Sequence, residues 1–157
     1  MAIALYPGTF DPITLGHIDI VKRASQIFSK VVTVVADNKS KNCLFSVEER
    51  LHLAKESLKD FPSVEVISYD GLVIDAVKEY GASTIIRGLR ALSDFDYEFQ
   101  LAFTNRRLDD KADTVFLMPS AQFTYLSSSM IRQLAQFNGD ISQFVTPVVE
   151  SALSEKF

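Results

Sequence analysis

The sequence predicts an α/β fold: a single domain with a Rossmann-like open sheet of five parallel strands and helices on both faces. Five short apolar runs recur along the chain, at residues 2–6, 31–36, 64–67, 83–86 and 114–118. Several runs are continuous and rich in Val and Ile, which is typical of parallel strands covered on both faces. Segments with helical spacing separate the runs. Strands that alternate with helices indicate right-handed crossovers within a parallel sheet.

Three helices precede the fourth strand. The first covers residues 16–28, where apolar residues recur on one side. Ser46 and Glu49 form a capping box that starts the second helix, which ends before the next proline. The third helix covers residues 72–80 and closes at Gly81, a residue that readily adopts the left-handed conformation of a helix end.

The remaining helices precede and follow the fifth strand in the sequence. Apolar residues at i, i+4, i+7 and i+8 indicate the fourth helix. They are Phe95, Phe99, Ala102 and Phe103. A further helix is expected over residues 130–137, and the tail from Gly139 should form one or two closing helices.

Length and composition limit the classes of function. A chain of 157 residues is a usual size for one domain, here residues 1–157, and 47% hydrophobic with 23% charged residues excludes a disordered or collagen-like protein. The formal net charge of −4 argues against nucleic-acid binding. No apolar stretch approaches the roughly 18 residues of a membrane span. Cys43 is the only cysteine, so we expect no intrachain disulfide and a cytoplasmic location.

The loop after the first strand carries the strongest chemical signal. In open parallel sheets, ligands bind beyond the carboxyl ends of the strands. Here Thr14-x-Gly16-His17 leads into the first helix. The free N–H groups and the dipole of a helix start favour an anion, and His17 would add a donor to a phosphate oxygen that gains charge during reaction. The alternative is that His17 caps the helix or lies on the surface.

Other catalytic motifs are missing from the sequence. There is no G-x-G-x-x-G and no P-loop, which argues against NAD binding and P-loop hydrolysis. There is no G-x-S-x-G elbow for a serine hydrolase, and Cys43 has no evident base beside it.

Two arginines follow the fourth strand, in the segment Arg87-Gly88-Leu89-Arg90. Their planar guanidinium groups suit phosphate recognition because each offers a fork of donors. The alternative is that these arginines pair with the nearby carboxylates of Asp94, Asp96 and Glu98.

Serines and lysines in two further loops are open to two interpretations. The three serines at 127–129 are either N-caps of a helix or a cradle for a triphosphate. Lys39 and Lys41 after the second strand are either solvated or bind phosphate. Asp11 is expected to be a turn residue rather than a metal ligand, and His52 is given no role.

A family resemblance joins these loops. It is carried by Tyr6-Pro7-Gly8-Thr9-Phe10-Asp11-Pro12, Thr14-Leu15-Gly16-His17, Ile86-Arg87-Gly88-Leu89-Arg90, Asp96-Tyr97-Glu98 and Leu126-Ser127-Ser128-Ser129. With these segments the chain closely resembles the bacterial phosphopantetheine adenylyltransferases over nearly its whole length. The Thr-x-Gly-His turn alone marks only the wider nucleotidyltransferase superfamily, whereas the arginine and serine segments narrow the resemblance to this family.

The resemblance implies transfer of the adenylyl group of ATP to 4′-phosphopantetheine by direct in-line displacement. The products would be dephospho-coenzyme A and pyrophosphate, in the penultimate step of coenzyme A biosynthesis. It further implies Mg²⁺ as cofactor and a homohexamer, with coenzyme A as a candidate feedback ligand. The ligands of Mg²⁺ are not implied.

The resemblance also implies site residues. His17 would stabilise the transition state at the α-phosphate. The acceptor substrate would contact Thr9, Lys41, Val73 and Arg87. The ATP-binding residues would be Thr9, Phe10, His17, Gly88, Leu89, Arg90, Glu98, Phe123, Thr124, Tyr125, Leu126, Ser127, Ser128 and Ser129.

Two alternatives stay open from the residues alone. One is a nucleotidyltransferase with another phosphorylated acceptor, such as nicotinamide mononucleotide, flavin mononucleotide or glycerol phosphate. The other is a non-catalytic nucleotide-binding module. A nucleotidyltransferase with a phosphorylated acceptor needs no general base, because the acceptor phosphate is already an anionic nucleophile. The rate of such an enzyme must come from alignment and charge stabilisation.

Overall fold

The computed structural model describes residues 1–90 and 92–157, with side chains at all of these positions except residues 92 and 93. The described strands are β1 (Ile3–Gly8), β2 (Lys30–Ala36), β3 (Val64–Tyr69), β4 (Thr84–Gly88) and β5 (Asp113–Leu117). The helices are α1 (Leu15–Ile27), α2 (Val47–Leu58), α3 (Val73–Glu79), α4 (Leu92–Leu108), α5 (Ser128–Gln136) and α6 (Pro147–Lys156), with a 3₁₀ turn at Ala121–Phe123.

The strands form a parallel sheet in the order β3-β2-β1-β4-β5. This confirms the predicted α/β fold with five parallel strands. The chain lays β2 and β3 on one side of β1 and then returns to add β4 and β5 on the other. The carboxyl ends of β1 and β4 therefore border the crevice in which open α/β sheets bind ligands.

Two apolar clusters cover the two faces of the sheet. Successive residues of a strand point to opposite faces, so Ala4 and Tyr6 of β1 enter one cluster and Leu5 between them enters the other. The larger cluster packs under α1, α2 and α6, whereas the smaller one packs under α3, through Ile74 and Val77. Helices on both faces were expected from the continuous apolar strands.

Several element ends differ from the sequence-based expectation. Strand β4 extends to Gly88 rather than ending at residue 86, so Arg87 belongs to the strand itself. Helix α5 begins at Ser128, two residues before the expected start. The tail forms one helix in the described structure, α6, and Pro147 occupies its first position, where a missing N–H costs no helical hydrogen bond.

The aromatic face of α4 is not in the core. Its spacing predicts the helix correctly, but Phe95, Phe99 and Phe103 are 43%, 44% and 52% exposed. The rings lie against one another, with centroids 5.2 Å apart for the first pair and 4.7 Å for the second. Periodicity identifies an apolar stripe but cannot say what covers it. None of the described helices combines the length and apolarity that a membrane crossing requires.

Thr33 in the middle of β2 is fully buried on the side of the larger cluster, together with Val31 and Val35. Within the described part of the chain, its hydroxyl has no hydrogen-bond partner. A buried hydroxyl without a partner loses its hydrogen bond to water on folding and gains nothing in exchange.

We expect Thr33→Val, which replaces the hydroxyl by a methyl group of similar size, to raise the free energy of unfolding by about 1 kcal/mol. Urea denaturation measures the change. Thr84→Val is the matched control, because Thr84 is also a buried strand residue but its hydroxyl lies 3.5 Å from Ser83 Oγ. A gain at Thr84 equal to that at Thr33 would contradict this account.

Candidate active site

A cavity of about 570 Å³ opens at the carboxyl ends of β1 and β4. Most of the residues predicted for the site line it. They are Thr9, Phe10, His17, Lys41, Arg87, Gly88, Arg90, Glu98, Phe123, Leu126, Ser127, Ser128 and Ser129. These residues come from five separate stretches of the chain, and the reversal of strand order brings them together.

The turn between β1 and α1 is built around Phe10. This residue has a φ of +49°, in the left-handed region that non-glycine residues rarely adopt, and its side chain is buried. Its ring covers Gly8, where an added Cβ would lie 2.9 Å from the ring, so a glycine is needed there. The same ring packs edge-on against His17, with centroids 4.9 Å apart.

His17 is both a helix cap and a candidate donor. The backbone N–H of Thr14 donates to Nδ1 of His17 at 3.0 Å, and the backbone N–H of His17 donates to Thr14 Oγ1 at 3.4 Å, which completes a capping box. Because Nδ1 accepts a hydrogen bond from the backbone, the proton of the neutral ring must be on Nε2. The capping role thus leaves an Nε2–H as the donor available to a ligand.

His17 stays uncharged at neutral pH. Burial, together with the positive charges of Arg90 and Arg87, lowers the pKa of its imidazole to about 3. A neutral imidazole with its proton on Nε2 can donate a hydrogen bond, but it does not carry a positive charge to the cavity.

Arg87 is held by Glu98. Its Nε and Nη2 donate to the two carboxylate oxygens of Glu98, each at 2.7 Å, and its Nη1 donates to the carbonyl of Pro7 at 3.1 Å. Burial works against the charge of Arg87, but Glu98 outweighs it and raises the pKa of the guanidinium. Glu98 is 8% exposed, and both its oxygens face Arg87.

Arg90 has a looser set of partners. Its Nη1 donates to the carbonyl of Leu126 at 2.9 Å, and its Nε lies 3.6 Å from a carboxylate oxygen of Asp94. Arg87 and Arg90 therefore both pair with carboxylates, which is one of the two interpretations of these arginines. Both arginines also line the cavity. The ion pairs hold the guanidinium groups in place at the cavity wall.

Only one of the two candidate lysines lies at the cavity. The ammonium of Lys41 donates to Thr9 Oγ1 at 2.9 Å, which joins the loop after β2 to the turn after β1. Lys39 instead forms an exposed ion pair with Asp70 at 3.3 Å.

The serine turn combines capping with loop contacts. Ser127 Oγ accepts from the backbone N–H of Met130 at 3.2 Å and is the N-cap of α5. Ser128 Oγ donates to the carbonyl of Pro12 at 2.8 Å. Ser127 Oγ lies 3.2 Å from Ser129 Oγ. The free N–H groups of the α5 start and these hydroxyls border the cavity together.

Four predicted residues lie elsewhere. Val73 packs into the smaller apolar cluster, on the side covered by α3. The backbone N–H of Leu89 donates to the carbonyl of Leu117, and Thr124 Oγ1 donates to the carbonyl of Ser120 at 3.4 Å. Tyr125 projects outward and is 83% exposed. Their ligand roles rest on the resemblance alone.

Asp11 is a turn residue, as expected, and it also joins three parts of the site. Its carboxylate accepts from the backbone N–H groups of Leu44 and Phe45 at 2.8 and 2.9 Å. Arg132, which the sequence analysis missed, donates to the Asp11 carbonyl at 2.6 Å and lines the cavity. The one sequence signal for Arg132 is its position four residues after Ser128, on the same face of α5.

Asp19 was also missed. Its carboxylate accepts from the backbone N–H and the hydroxyl of Ser120, at 2.8 and 3.1 Å, and from Arg23 at 3.0 Å. Burial opposes ionisation, but the hydrogen bonds from Ser120 and Arg23 outweigh it and lower the pKa of Asp19. This contact anchors the loop after β5, which leads to the serine turn, onto α1.

The carboxylates at the cavity are engaged by arginines. Asp11 lies 3.6 Å from Arg132, Asp94 lies beside Arg90, and Glu98 is paired with Arg87. The residues that the structure describes include no group of three or more His, Cys, Asp or Glu side chains placed to hold a metal ion.

Comparison with known proteins identifies the family. The family described as cytidylyltransferase-like matches residues 5–134. Curated phosphopantetheine adenylyltransferases are similar over almost the full length of both chains. That of Caldanaerobacter subterraneus subsp. tengcongensis is 50% identical over 100% of this chain and 98% of its own. That of Thiobacillus denitrificans is 53% identical over 99% of this chain and 98% of its own.

A solved structure supports the fold. A crystal structure assigned as a nicotinate-nucleotide adenylyltransferase from Vibrio parahaemolyticus superposes with a TM-score of 0.68, covering 99% of this chain and 91% of that one at 21% identity. At this identity the likeness concerns the fold alone. By its identity to curated relatives over its whole length, the chain belongs to the phosphopantetheine adenylyltransferases, a family of nucleotidyltransferase enzymes.

Proposed function

We propose that the protein transfers the adenylyl group of ATP to 4′-phosphopantetheine and releases pyrophosphate, the penultimate step of coenzyme A biosynthesis. Membership of the family supports the reaction. The observation that carries it in the structure is the cavity at the strand reversal, where the neutral donor His17 meets Lys41, Arg87 and Arg90. Such a site suits two phosphorylated substrates.

In the proposed reaction, an oxygen of the acceptor phosphate attacks the α-phosphorus of ATP. The new P–O bond forms as the bond from the α-phosphorus to the bridging β-phosphate oxygen breaks, and pyrophosphate leaves with that electron pair. The protein needs neither a base nor a covalent intermediate, because the attacking oxygen is already ionised. Its work is to align the two phosphates and to stabilise the charge between them.

Each part of the cavity has a proposed task. Thr9, Lys41 and Arg87 hold the acceptor phosphate. Arg90, together with the serine turn and the N–H groups at the α5 start, holds the phosphates of ATP. His17 donates through Nε2–H to an oxygen of the α-phosphate, where negative charge grows in the transition state.

The protein compensates only part of the substrates' negative charge. Among the described residues, four cationic side chains, those of Lys41, Arg87, Arg90 and Arg132, line the cavity. Three carboxylates oppose them. We propose that Mg²⁺ enters as the counterion of ATP, held by phosphate oxygens and water, which is how Mg²⁺ commonly binds nucleotides.

The proposal includes a homohexamer. The row of Phe95, Phe99 and Phe103 on α4 supports self-association, because single chains rarely expose contiguous aromatic surface.

We also propose a cytoplasmic location, since the reaction consumes ATP and Cys43 is a free thiol. Coenzyme A contains the pantetheine arm and an adenine nucleotide, so as a feedback ligand it would compete for the same cavity.

The reaction is tested by mixing the protein with ATP, Mg²⁺ and 4′-phosphopantetheine. We expect dephospho-coenzyme A by mass spectrometry and an equal amount of pyrophosphate. Parallel reactions contain nicotinamide mononucleotide, flavin mononucleotide or glycerol phosphate as acceptor, each with ATP or CTP. Preference for one of these acceptors would replace the proposed substrate. Nucleotide binding without pyrophosphate release from any acceptor would indicate a non-catalytic module.

His17→Ala should lower kcat by about 10² to 10³, the usual effect of removing one donor to a developing charge. The KM values should change little, because the interaction strengthens only in the transition state. Steady-state pyrophosphate release measures both. His52→Ala is the matched control, since His52 is the other histidine, is exposed and lies outside the cavity. Turnover of His17→Ala near the wild-type value would exclude the proposed role.

The lowered pKa of His17 predicts a pH dependence of stability. The folded pKa is about 3, against about 6.5 for a histidine in an unfolded chain. Between these values the unfolded chain holds a proton that the folded chain lacks, so the free energy of unfolding falls as the pH falls. His17→Gln should weaken this dependence in urea unfolding between about pH 4 and about pH 7. Equal slopes for His17→Gln and the wild-type protein would contradict the assignment.

A further inference from the structure

Arg50, in the first turn of α2, is a buried cation that the mechanism above does not use. It is 3% exposed and does not line the cavity. Its Nη1 donates to the carbonyls of Thr9 and Ala36 at 2.8 and 2.9 Å, and its Nε donates to the carbonyl of Phe45 at 3.2 Å. Among the described side chains, no carboxylate lies within ion-pair distance of it, although buried charges are commonly paired.

The three carbonyls that accept from Arg50 belong to the two ends of the loop that carries Lys41 and to the residue that Lys41 contacts. Ala36 ends β2, and Phe45 immediately precedes the cap of α2, so the two residues bracket the loop 37–44 that carries Lys41. Thr9 is the residue whose hydroxyl accepts from the Lys41 ammonium. One guanidinium group therefore holds both ends of the Lys41 loop and the backbone of the residue that Lys41 contacts.

We propose that Arg50 is a positioning residue for the acceptor phosphate, holding the Lys41 ammonium and the Thr9 hydroxyl side by side at the cavity. The proposal rests on the proposed function, in which these two groups bind the acceptor. A planar guanidinium suits the task because its donors point in several fixed directions at once, whereas an ammonium is a compact charge that cannot reproduce that fork.

The charge of Arg50 adds to the effect of its geometry. Carbonyl oxygens accept from its Nε and Nη1 without neutralising it, so a fixed positive charge lies behind the backbone of Thr9. At a given distance, a charge in a poorly hydrated region attracts an anion more strongly than a charge surrounded by water does. The nucleotide side is held by other contacts, those of Arg90 with Leu126 and of Asp19 with Ser120.

The proposal predicts a larger defect for one substrate than for the other. In Arg50→Lys and Arg50→Gln, calorimetry should show the Kd of 4′-phosphopantetheine raised by at least about tenfold, since small misplacements of binding groups are costly. The Kd of ATP should rise less, because Lys41 is assigned to the acceptor alone and only Thr9 is shared between the two substrates. Lys55→Gln, an exposed change on the same helix, is the matched control and should alter neither Kd.

A double-mutant cycle separates positioning from general destabilisation. If Arg50 acts through Lys41, the effect of Arg50→Lys on the Kd of 4′-phosphopantetheine should shrink in a Lys41→Ala background, because coupled residues are not additive. Full additivity would overturn the proposal, and so would equal losses of ATP and 4′-phosphopantetheine binding. Failure of both Arg50 variants to fold would identify a purely structural residue.

Binding is measured without turnover, so the two proposals can fail separately. A wild-type protein that binds 4′-phosphopantetheine but forms no dephospho-coenzyme A would contradict the proposed function and leave the role of Arg50 to be decided by the Kd values. A wild-type protein that does not bind 4′-phosphopantetheine at all would overturn both.

Discussion

The reversal of strand order beside β1 is the constraint on which the site depends. With β2 on one side of β1 and β4 on the other, a crevice opens at the carboxyl ends of these central strands. The loops that follow β1, β2, β4 and β5 therefore face a common space. Without that topology, the donor on α1, the arginines at the end of β4 and just after it, and the serines at the start of α5 would belong to unrelated parts of the surface.

Long-range polar contacts convert this common space into a defined cavity. Asp11 holds the segment just before α2 through the N–H groups of Leu44 and Phe45, and Ser128 holds the turn after β1. Arginines and carboxylates pair around the wall, so that cations needed for polyanionic ligands are retained in a chain whose net charge is −4. Each pair limits the movement of a guanidinium group, and the proposed mechanism, in which two phosphates are aligned, would tolerate little displacement of these groups.

Much of the fold and part of the site follow from local patterns. The ends of the five apolar runs lie within two residues of the ends of the five strands. The capping box at Ser46 starts α2 as expected. Contacts between distant residues leave no such pattern. The partners of Arg50, Arg132 and Asp19 lie up to 121 positions away in the chain. Nothing beside Arg50 or Asp19 in the sequence distinguishes them from solvated residues, and the spacing of Arg132 from Ser128 does not identify its partner. The exposed aromatic row of α4 was unpredictable for the same reason.

By itself the sequence determined the order of strands and helices along the chain, the loop that places His17 in the first turn of α1, and the resemblance to one family. These properties depend on residues close together in the chain. Only the tertiary structure decided how the competing interpretations combine. His17 caps its helix and thereby keeps its proton on Nε2, and Arg87 lines the cavity while paired with Glu98. Such outcomes depend on which side chains and carbonyls meet in space, and the packing of the sheet and helices sets those distances.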